Sequence, residues 1–230
     1  MQLTWYGQAA FRLVGEEGES TGKTVITDPY TPDLLGYAPI IDPADLVIIS
    51  SHDDQAHCRA DLIRGDPAVL NALDIAVDHD GTSRAAGMTV RAIEAAEWEH
   101  HPRGVPGQNG MYRFEMDGLK IAHMGDVGNP LNDEQMAFFE DVDVLLALAG
   151  GYLTIELPDL DAMIKKMKPK IVIPMHFRTL TYKPRNTMWI ESFLSYYADE
   201  DVDFAFSHEA KITPGSIPAS TRVLVMDYAR

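Results

Sequence analysis

The sequence has few basic residues and only one cysteine. It contains 19 Lys and Arg against 35 Asp and Glu, a formal net charge of −16 over 230 residues. Binding to a nucleic-acid backbone or an anionic membrane needs clustered basic side chains, so this balance disfavours both partners. It does not exclude a small phosphorylated substrate. The lone Cys58 excludes an internal disulfide and fits a reducing compartment.

Long apolar runs and an export signal are also missing. No apolar stretch approaches the roughly 18 residues that a membrane-spanning helix needs. The opening letters MQLTWYGQAAFRL lack the basic-then-apolar layout of a signal peptide. We therefore expect a cytoplasmic protein. Since no linker, low-complexity segment or short-period repeat interrupts the chain, we expect one domain over residues 1–230 with a substantial buried core.

Short β-branched and aromatic runs separated by turn residues predict strands. In the first half these runs are LTWYGQAAFRLV, KTVITDPY, ADLVIIS, MTVRAIEAAEW and GMYRFEMDGLKIAHMG. The DG pair in the last run predicts a hairpin turn. In the second half, the apolar runs DVDVLLALAGG and KIVIPMH predict buried strands.

Three segments between these strands predict helices. Asp53 and Asp54 suit the positive end of a helix dipole, so residues 53–64 are expected to begin a helix. The segment NDEQMAFFE has Asn132 or Asp133 near its cap. The segment PDLDAMIKKM places acids early and lysines late, as the helix dipole favours. Strands alternating with helices predict a layered α/β architecture in which helices cover the sheets.

Three of the apolar strands end in side chains that could bind a metal. The run LVIIS leads to His52, LKIAHMGD leads to Asp126, and KIVIPM leads to His176. Ligands of α/β proteins gather outside the carboxyl ends of strands. One histidine at a strand end is more often structural, but three such ends together with HDDQAH and the pair His100–His101 favour a metal site. Neutral imidazole and carboxylate suit zinc, iron or manganese.

The order and spacing of six blocks resemble those of the metallo-β-lactamase-fold hydrolases. The blocks are WYGQAAFRL, ITDPY, ADLVIISSHDDQAH, IAHMGDVG, LLALAGGYLTI and PKIVIPMHFRT, and together they cover nearly the whole chain. The chain is most similar to the branch that includes ascorbate-6-phosphate lactonase. This resemblance implies an α/β fold of the metallo-β-lactamase type, a four-layer αββα sandwich of two mixed sheets flanked by helices.

The resemblance also implies a set of metal ligands. The family hallmark is His-x-His-x-Asp-His after the third apolar strand, and His52 and His57 match its first and last histidines. Asp54 stands where the family has its second histidine, and Ala56 stands where it has its aspartate. These two substitutions are the departures from the hallmark.

Three later segments supply the remaining ligands of the family pattern. The next histidine maps to EHHPRG, where His100 is the first choice and His101 the second. Asp126 in HMGD matches the carboxylate that can bridge two metals. His176 in IPMH matches the final ligand.

The two departures alter the metal sites that the resemblance implies. Ala56 offers no donor atom, so the second site keeps His57, Asp126 and His176, which with water still suffices for catalysis. The first site keeps His52, one of His100 and His101, and Asp126. A carboxylate from Asp54 would make that site harder and shift its preference from zinc toward manganese, iron or magnesium. We expect one or two divalent metal ions, zinc or manganese, with iron as a further option.

Metal-dependent hydrolysis is the function that the resemblance implies. A bound metal lowers the pKa of water, and the resulting hydroxide attacks a small-molecule ester, lactone, amide or phosphoester. With Ala56 in place of the hallmark aspartate, Asp54 or Asp126 would have to orient this nucleophile as a catalytic residue. The alternative is a catalytically impaired protein of the same fold that serves as a binding or structural module, and both substitutions favour it.

Five other residues have interpretations that the sequence leaves open. His123 either orients the nearby metal-binding carboxylate or packs in the core. Asp28, in TDPY, is expected to organise the loops beneath the metals rather than to bind them. Cys58 is either a soft ligand or a small buried apolar residue. Gly150 and Gly151 are expected to permit close backbone approach at a strand end.

The substrate is expected to be a small molecule, chosen by loops around the cleft. The candidate loops are residues 30–41, 102–109 and 178–189. Within the last loop, the basic side chains of RTLTYKPRN either hold a substrate carboxylate or phosphate or belong to an ordinary solvated loop. The aromatic run WIESFLSYY fits either the core or a partner subunit, so a homo-oligomer stays open.

Overall fold

The computed structural model describes residues 1–97 and 108–230, and every structural statement below concerns those residues. The strands are β1 (Gln2–Gly7), β2 (Ala10–Val14), β3 (Thr24–Thr27), β4 (Leu46–Ile49), β5 (Ala68–Asn71), β6 (Thr82–Ala85), β7 (Met88–Ala95), β8 (Asn109–Met116), β9 (Leu119–His123), β10 (Val144–Leu148), β11 (Ile171–Met175), β12 (Val202–Phe204), β13 (Glu209–Lys211) and β14 (Arg222–Val225). The α-helices are α1 (Pro32–Leu35), α2 (Ala72–Asp78), α3 (Asp133–Phe138), α4 (Leu157–Met167) and α5 (Ile190–Leu194).

The strands form two mixed sheets. One has six strands in the order β13-β1-β2-β3-β4-β5, antiparallel from β13 to β3 and parallel from β3 to β5. The other has eight strands in the order β12-β14-β11-β10-β9-β8-β7-β6, parallel from β12 to β9 and antiparallel from β9 to β6. The strands β7, β9, β10 and β11 therefore run in one direction, and their carboxyl ends lie at one edge of the sheet.

The two sheets share one apolar core because strand side chains alternate between faces. In β4, Leu46 and Ile48 belong to the core shared with the eight-stranded sheet. Val47 and Ile49 point to the opposite face and pack in a smaller cluster that includes Tyr37. Helices α2 to α5 also contribute buried side chains to the main core. The six-stranded sheet is thus covered on both faces.

Most of the predicted elements are present. All the predicted strands form, and α3 and α4 lie where the sequence predicts them. Asn132 caps α3 in a capping box with Gln135, each side chain accepting the other's backbone N–H. The DG pair forms the predicted hairpin turn between β8 and β9, with φ of 53° at Asp117 and 74° at Gly118. None of the described helices is long and apolar enough to cross a membrane.

The prediction of a helix over residues 53–64 is wrong. This segment consists of turns and a short 3₁₀ helix over residues 60–62. Asp54 makes two local hydrogen bonds instead. Its Oδ1 accepts the backbone N–H of Ala56 at 2.8 Å, and its own N–H donates to Ser51 Oγ at 3.2 Å. Short polar side chains that bind nearby backbone in this way compete with a helix.

Candidate metal centre

Three segments that follow strands bring His57, Asp126 and His176 together. His57 lies in the turns after β4, Asp126 lies three residues after β9, and His176 follows β11 directly. One potential ligand atom from each side chain lies within 4.8 Å of the other two. The two imidazole rings stack, with centroids 5.4 Å apart. The carboxyl ends of strands from both sheets therefore converge on one group of donors, as in other α/β proteins.

Asp126 lies between the two imidazoles. Its Oδ2 is 3.5 Å from His57 Nε2, and its Oδ1 is 3.3 Å from His176 Nε2. His57 Nε2 and Asp126 Oδ1 are buried and have no hydrogen-bond partner in the described part of the chain. Buried polar atoms are rarely left unpaired, so these two atoms fit a role in binding a metal ion. Two nitrogens and a carboxylate are a donor set that fits a divalent transition metal.

Asp28 fixes the orientation of His57. The side chains of both residues are fully buried, and His57 Nδ1–H donates to Asp28 Oδ2 at 3.0 Å. The same oxygen accepts the hydroxyl of Ser50 at 2.7 Å. A carboxylate behind an imidazole sets the tautomer of the ring and directs its other nitrogen at the metal. Asp28 thus holds one of the converging donors in place, and the predicted role beneath the metals stays a prediction.

Two buried polar side chains hold the backbone around Asp126. Asn109 accepts the Asp126 N–H at 2.8 Å and donates to the carbonyl of Met124 at 3.1 Å. His123 accepts the Gly125 N–H at 2.9 Å and donates to a main-chain carbonyl of the β1–β2 connection. His123 also stacks on Tyr112, with ring centroids 4.7 Å apart, and burial lowers its pKa. It therefore combines the core and orienting roles, whereas Asn109, at the start of β8, had no signal in the sequence.

The backbone of His176 lies against two other loops. His176 has φ of 58°, and a Cβ at Gly150 would lie 2.1 Å from its carbonyl oxygen. Gly150 thus permits the close approach that the sequence predicted. The His176 N–H donates to the carbonyl of Gln8 at 3.0 Å, and the Gln8 amide contacts His176 Nε2. Burial, with the nearby His57, lowers the pKa of His176 to about 3.

The centre is strongly negative around His57. Burial alone would lower the pKa of His57, but the carboxylates of Asp126, Asp28 and Asp54 outweigh it and raise the pKa to about 10. Burial raises the pKa of Asp126, and Asp54 and Glu97 raise it further. The surrounding carboxylates thus favour positive charge at His57, whereas the shift of Asp126 comes first from its own burial.

A second group of donors shares Asp126. One carboxylate oxygen each from Asp54, Glu97 and Asp126 lie within 4.8 Å of one another. Asp54 Oδ2 is 3.9 Å from His57 Nε2, which places Asp54 beside the first group. Glu97 follows β7 by two residues and was not among the predicted ligands. Its position at the end of a predicted strand could have indicated it.

The comparison with known families matches residues 2–176 to the β-lactamase superfamily domain. The chain belongs to the β-lactamase superfamily. The matched region includes His57, Asp126 and His176, so the convergence described above lies within the superfamily domain.

Relatives and solved structures agree with this membership. A UPF0173 metal-dependent hydrolase of Thermoplasma acidophilum is 25% identical over 195 residues, covering 78% of this chain and 84% of that protein. Another, of Archaeoglobus fulgidus, is 26% identical over 203 residues, covering 78% and 84%. A Thermotoga maritima structure assigned to the Zn-dependent hydrolases of the metallo-β-lactamase superfamily is 26% identical, with a TM-score of 0.75 and 99% coverage of each chain. The predicted αββα sandwich is confirmed, and the ascorbate-6-phosphate lactonase branch stays a prediction.

This superfamily member departs from the expected ligand set at His52. The His52 side chain is 58% exposed and donates from Nε2 to Asp74 Oδ1 at 2.9 Å. Its Nδ1 accepts from Asn71 at 3.2 Å, so both ring nitrogens face α2 and its cap. His52 is in neither group of converging donors. The structure does not bring it together with Asp126, because the polar ends of β5 and α2 bind its imidazole.

The other predicted ligands lie either at the site or outside the described residues. His57, Asp54, Asp126 and His176 all lie at the site. His100 and His101 lie outside the described residues, so their predicted roles stay predictions. Cys58 is half-buried, burial raises the pKa of its thiol, and it packs beside the small apolar cluster rather than joining the described donor groups.

A cavity of about 380 Å³ opens onto both donor groups. Its walls include Gln8, Leu35, Leu153, Tyr182 and Thr187. The volume is in the range of pockets that hold small molecules, and the mixture of apolar walls with a few convergent polar groups is typical of such pockets. Two of the predicted substrate loops, residues 30–41 and 178–189, contribute to these walls. Most of the third, residues 102–107, lies outside the described residues.

Proposed function

We propose that this protein is a metal-dependent hydrolase of a small-molecule ester, lactone, amide or phosphoester. The observation that carries the proposal is the convergence of His57, Asp126 and His176, with the buried His57 Nε2 lacking a partner in the described chain. The names of the relatives, all metal-dependent hydrolases, support the same class of reaction. The cavity beside these donors supports a small molecule rather than a macromolecule as the substrate.

The residues of the site would divide the work between them. His57, Asp126 and His176 would hold a divalent metal, for which we propose zinc or manganese. When bound, such a metal polarises the substrate oxygen and lowers the pKa of water. Asp28 keeps His57 Nε2 directed at the centre, so that this nitrogen does not have to be reoriented on binding.

Asp54 is the residue we propose to accept a proton from the attacking water. Its side chain is 24% exposed, lines the cavity, and holds its Oδ1 in a hydrogen bond with the Ala56 N–H. The other oxygen, Oδ2, faces the site 3.9 Å from His57 Nε2. Asp54 would thereby replace the hallmark aspartate missing at position 56, since a carboxylate near the nucleophile can act as a general base.

Metal analysis tests the proposed ligands directly. The protein is purified from medium supplemented with zinc and manganese, and its metal content is measured by elemental analysis. We expect about one metal per chain or more in the wild type, and loss of that metal when His57, Asp126 or His176 is replaced singly by Ala. The exposed His208→Ala is the matched control and should retain full occupancy. Full occupancy in both Asp126→Ala and His176→Ala would contradict the assignment.

A substrate panel then tests the reaction class. Aryl esters, lactones, amides and phosphodiesters are assayed with and without a chelator, and we expect hydrolysis of at least one class that the chelator abolishes and added metal restores.

A second candidate function, a binding module without catalysis, is favoured by the exposed His52 and by Ala56. Metal below about a tenth of an equivalent per chain, with no hydrolysis of any class, would support that module.

A further inference from the structure

We propose that the outer face of the eight-stranded sheet holds a binding site for a small molecule with two neighbouring phosphate groups, in which arginines of β6, β7 and β8 bind the phosphate oxygens. The site is a cavity of about 690 Å³ over strands β6 to β9. It shares no described lining residue with the cavity at the candidate metal centre. The inference goes beyond the proposed function and does not depend on it.

The cavity lies away from the metal centre along the strands. Its walls include the β8–β9 turn, which precedes β9, whereas Asp126 follows the carboxyl end of the same strand. In the β7–β8 pair, Arg91 and Arg113 lie four residue pairs from Ala95 and Asn109, where the described part of the hairpin ends. The arginines therefore belong to the opposite part of the sheet from the metal centre.

Basic side chains are concentrated in this cavity, although the chain as a whole carries a formal net charge of −16. Five of the 19 Lys and Arg line it, namely Lys23, Arg84, Arg91, Arg113 and Lys120. Four of these five come from the consecutive strands β6, β7, β8 and β9. A cluster of cations on an acidic protein indicates a local preference for an anion.

The three arginines form a row across neighbouring strands. Arg84 of β6 lies opposite Thr89 of β7, and Arg91 of β7 lies opposite Arg113 of β8. Residues opposite each other share a face of the sheet, and so do Thr89 and Arg91, which are two apart on one strand. Opposite residues have Cβ atoms about 4.5–5.5 Å apart and diagonal ones about 7–8 Å, so the three guanidinium groups can reach one ligand.

The row places like charges opposite each other without an ion pair to neutralise them. No ion pair of the described chain includes Arg91 or Arg113. Arg113 donates to the carbonyls of Phe138 and Glu140 at 2.6 and 3.3 Å, and both guanidinium groups lie over the Phe138 ring. Burial and Arg91 lower the pKa of Arg113 despite the nearby Glu115. Since opposed like charges destabilise a sheet, a bound anion would stabilise this one.

Four acidic residues also line the cavity, and their positions leave the arginine end for the anion. Asp117 lies 2.7 Å from the N-terminal ammonium. Glu115 lies opposite Lys120, which is one of the cations of the cavity. Glu17 and Glu19 belong to the connection between β2 and β3. None of the described lining acids comes from β6 or β7, which carry Arg84 and Arg91.

The chemistry of the row indicates the class of ligand. The planar fork of a guanidinium matches two phosphate oxygens, so opposed arginines suit a phosphate group. Arg84, Arg91 and Arg113 span three strands, or two spacings of about 4.8 Å, which is wide for one phosphate and suits two joined ones. The volume of the cavity is that of a small-molecule site, and the charge of the chain disfavours a nucleic acid.

Calorimetric titration with inorganic pyrophosphate tests the site. We expect saturable binding of about one pyrophosphate per chain, weaker at higher salt because the contacts are ionic. Inorganic phosphate should bind more weakly, since it reaches only part of the row. Arg84→Gln and Arg91→Gln should each weaken pyrophosphate binding roughly tenfold or more. Arg64→Gln removes an exposed arginine outside the cavity and is the matched control, with unchanged affinity expected.

Two further measurements separate this site from the metal centre, because pyrophosphate also binds metal ions. His176→Ala and wild-type protein freed of metal by a chelator and then dialysed should both keep the affinity for pyrophosphate. Pyrophosphate should raise the Tm of the wild type and of Arg64→Gln, and raise that of Arg91→Gln less. Loss of metal binding or hydrolysis would count against the proposed function and leave these expectations unchanged.

Three outcomes would overturn the inference. The first is the absence of saturable pyrophosphate binding in the wild type at low salt. The second is an equal affinity in Arg64→Gln, Arg84→Gln and Arg91→Gln. The third is binding that disappears in both the metal-free wild type and His176→Ala, which would place pyrophosphate at the metal centre.

Discussion

Individual side chains around His57 show how neighbouring residues orient a proposed metal ligand. Asp28 accepts the Nδ1–H of His57 and the hydroxyl of Ser50 on one oxygen. That hydrogen bond sets the tautomer of the imidazole, and its Nε2 lies 3.5 Å from Asp126 Oδ2. The support is remote along the chain, since Asp28 follows β3 and His57 follows β4.

We expect Asp28→Asn to lower the metal affinity of the imidazole site, the group of His57, Asp126 and His176, by about 10- to 100-fold, the usual effect of losing an outer hydrogen-bond partner. The affinity is measured by competition with a chromophoric chelator. Asp33→Asn, an exposed change in α1, is the control and should leave the affinity unaltered. An unchanged affinity in Asp28→Asn would mean that Asp28 does not orient His57.

Gly125 is the residue whose substitution should disturb Asp126 most without touching a ligand. Its φ is 60°, and a Cβ there would lie 2.2 Å from Asn109 Oδ1. We expect Gly125→Ala to destabilise the protein by about 1–3 kcal/mol through overpacking, beyond the cost of the left-handed backbone. It should also weaken metal binding, because Asn109 accepts the Asp126 N–H. Denaturant unfolding and metal titration measure the two effects.

The control for this prediction is Gly22→Ala. Gly22 has φ of 76°, but no described heavy atom lies within 4 Å of the position that a Cβ would occupy, so only the backbone cost applies. Equal destabilisation by Gly125→Ala and Gly22→Ala would show that the contact with Asn109 does not matter.

Among the elements, the β8–β9 hairpin is held to the start of β1 by the carboxylate of Asp117. Asp117, in the left-handed first position of the turn, accepts the N–H groups of Glu16 and Glu17 and lies 2.7 Å from the Met1 ammonium. Burial by itself would raise the pKa of Asp117, but the ammonium and the two N–H groups outweigh it and hold the pKa below its usual value. The hairpin and β1 are thereby held together by one buried carboxylate.

We expect Asp117→Asn to cost about 2 kcal/mol at neutral pH, because Asn keeps the left-handed turn but removes the charge. A carboxyl with a lowered folded pKa stabilises the protein above its unfolded pKa, roughly 3.9. That contribution is lost as the pH falls through the folded pKa. The difference in unfolding free energy from the wild type should therefore shrink below about pH 4, as measured by urea unfolding at several pH values.

Asp141→Asn is the control for this prediction. Asp141 also has a positive φ, of 61°, and pairs with Lys120, but its side chain is 81% exposed. Exposed pairs contribute little to stability, so this variant should behave like the wild type at every pH. A constant effect of Asp117→Asn from neutral to acidic pH would contradict the role of its charge.

The segment in which the helix prediction was wrong also shapes the site. Acidic residues at 53 and 54 suggested a helix start, yet the segment forms turns. The carboxylate of Asp54 binds the Ala56 N–H, a local contact that the spacing of apolar residues does not reveal. The strands were easier to predict, because their side chains alternate between two sheet faces that are both covered.

At the scale of the whole molecule, we expect metal binding to be coupled to folding. The ligands come from both sheets, after β4, β9 and β11, so they are close together only in the folded chain. A metal at about 100 times its dissociation constant would add about 2.7 kcal/mol to the unfolding free energy. For a protein of this size, that corresponds to a rise in Tm of roughly 5–11 °C.

Thermal unfolding with and without a chelator tests this coupling. The wild type should lose the increase in Tm when the chelator is added and recover it with zinc. His176→Ala should melt at one temperature under all three conditions, since it lacks a ligand of the imidazole site. A chelator-sensitive Tm of the same size in that variant would show that the stabilising metal binds elsewhere.

Local sequence patterns predict the layered α/β class and most of the strands, and together with the family resemblance they indicate four of the residues that meet at the site. Asp126 and His176 were indicated by their places at the ends of apolar runs, whereas His57 and Asp54 were assigned by their positions in the family hallmark. The alternation of strands and helices predicts a layered α/β class, and the four-layer αββα sandwich was implied by the family resemblance.

How the donors divide between two groups depends instead on tertiary contacts. Folding turns His52 toward Asp74, brings Glu97 beside Asp54, and places Asn109 and Asp28 behind the ligands. Each of these contacts joins residues that are distant in sequence or depends on the direction in which a side chain leaves a turn. Neither spacing nor composition encodes such directions, because they follow from how the two sheets pack and where their loops meet.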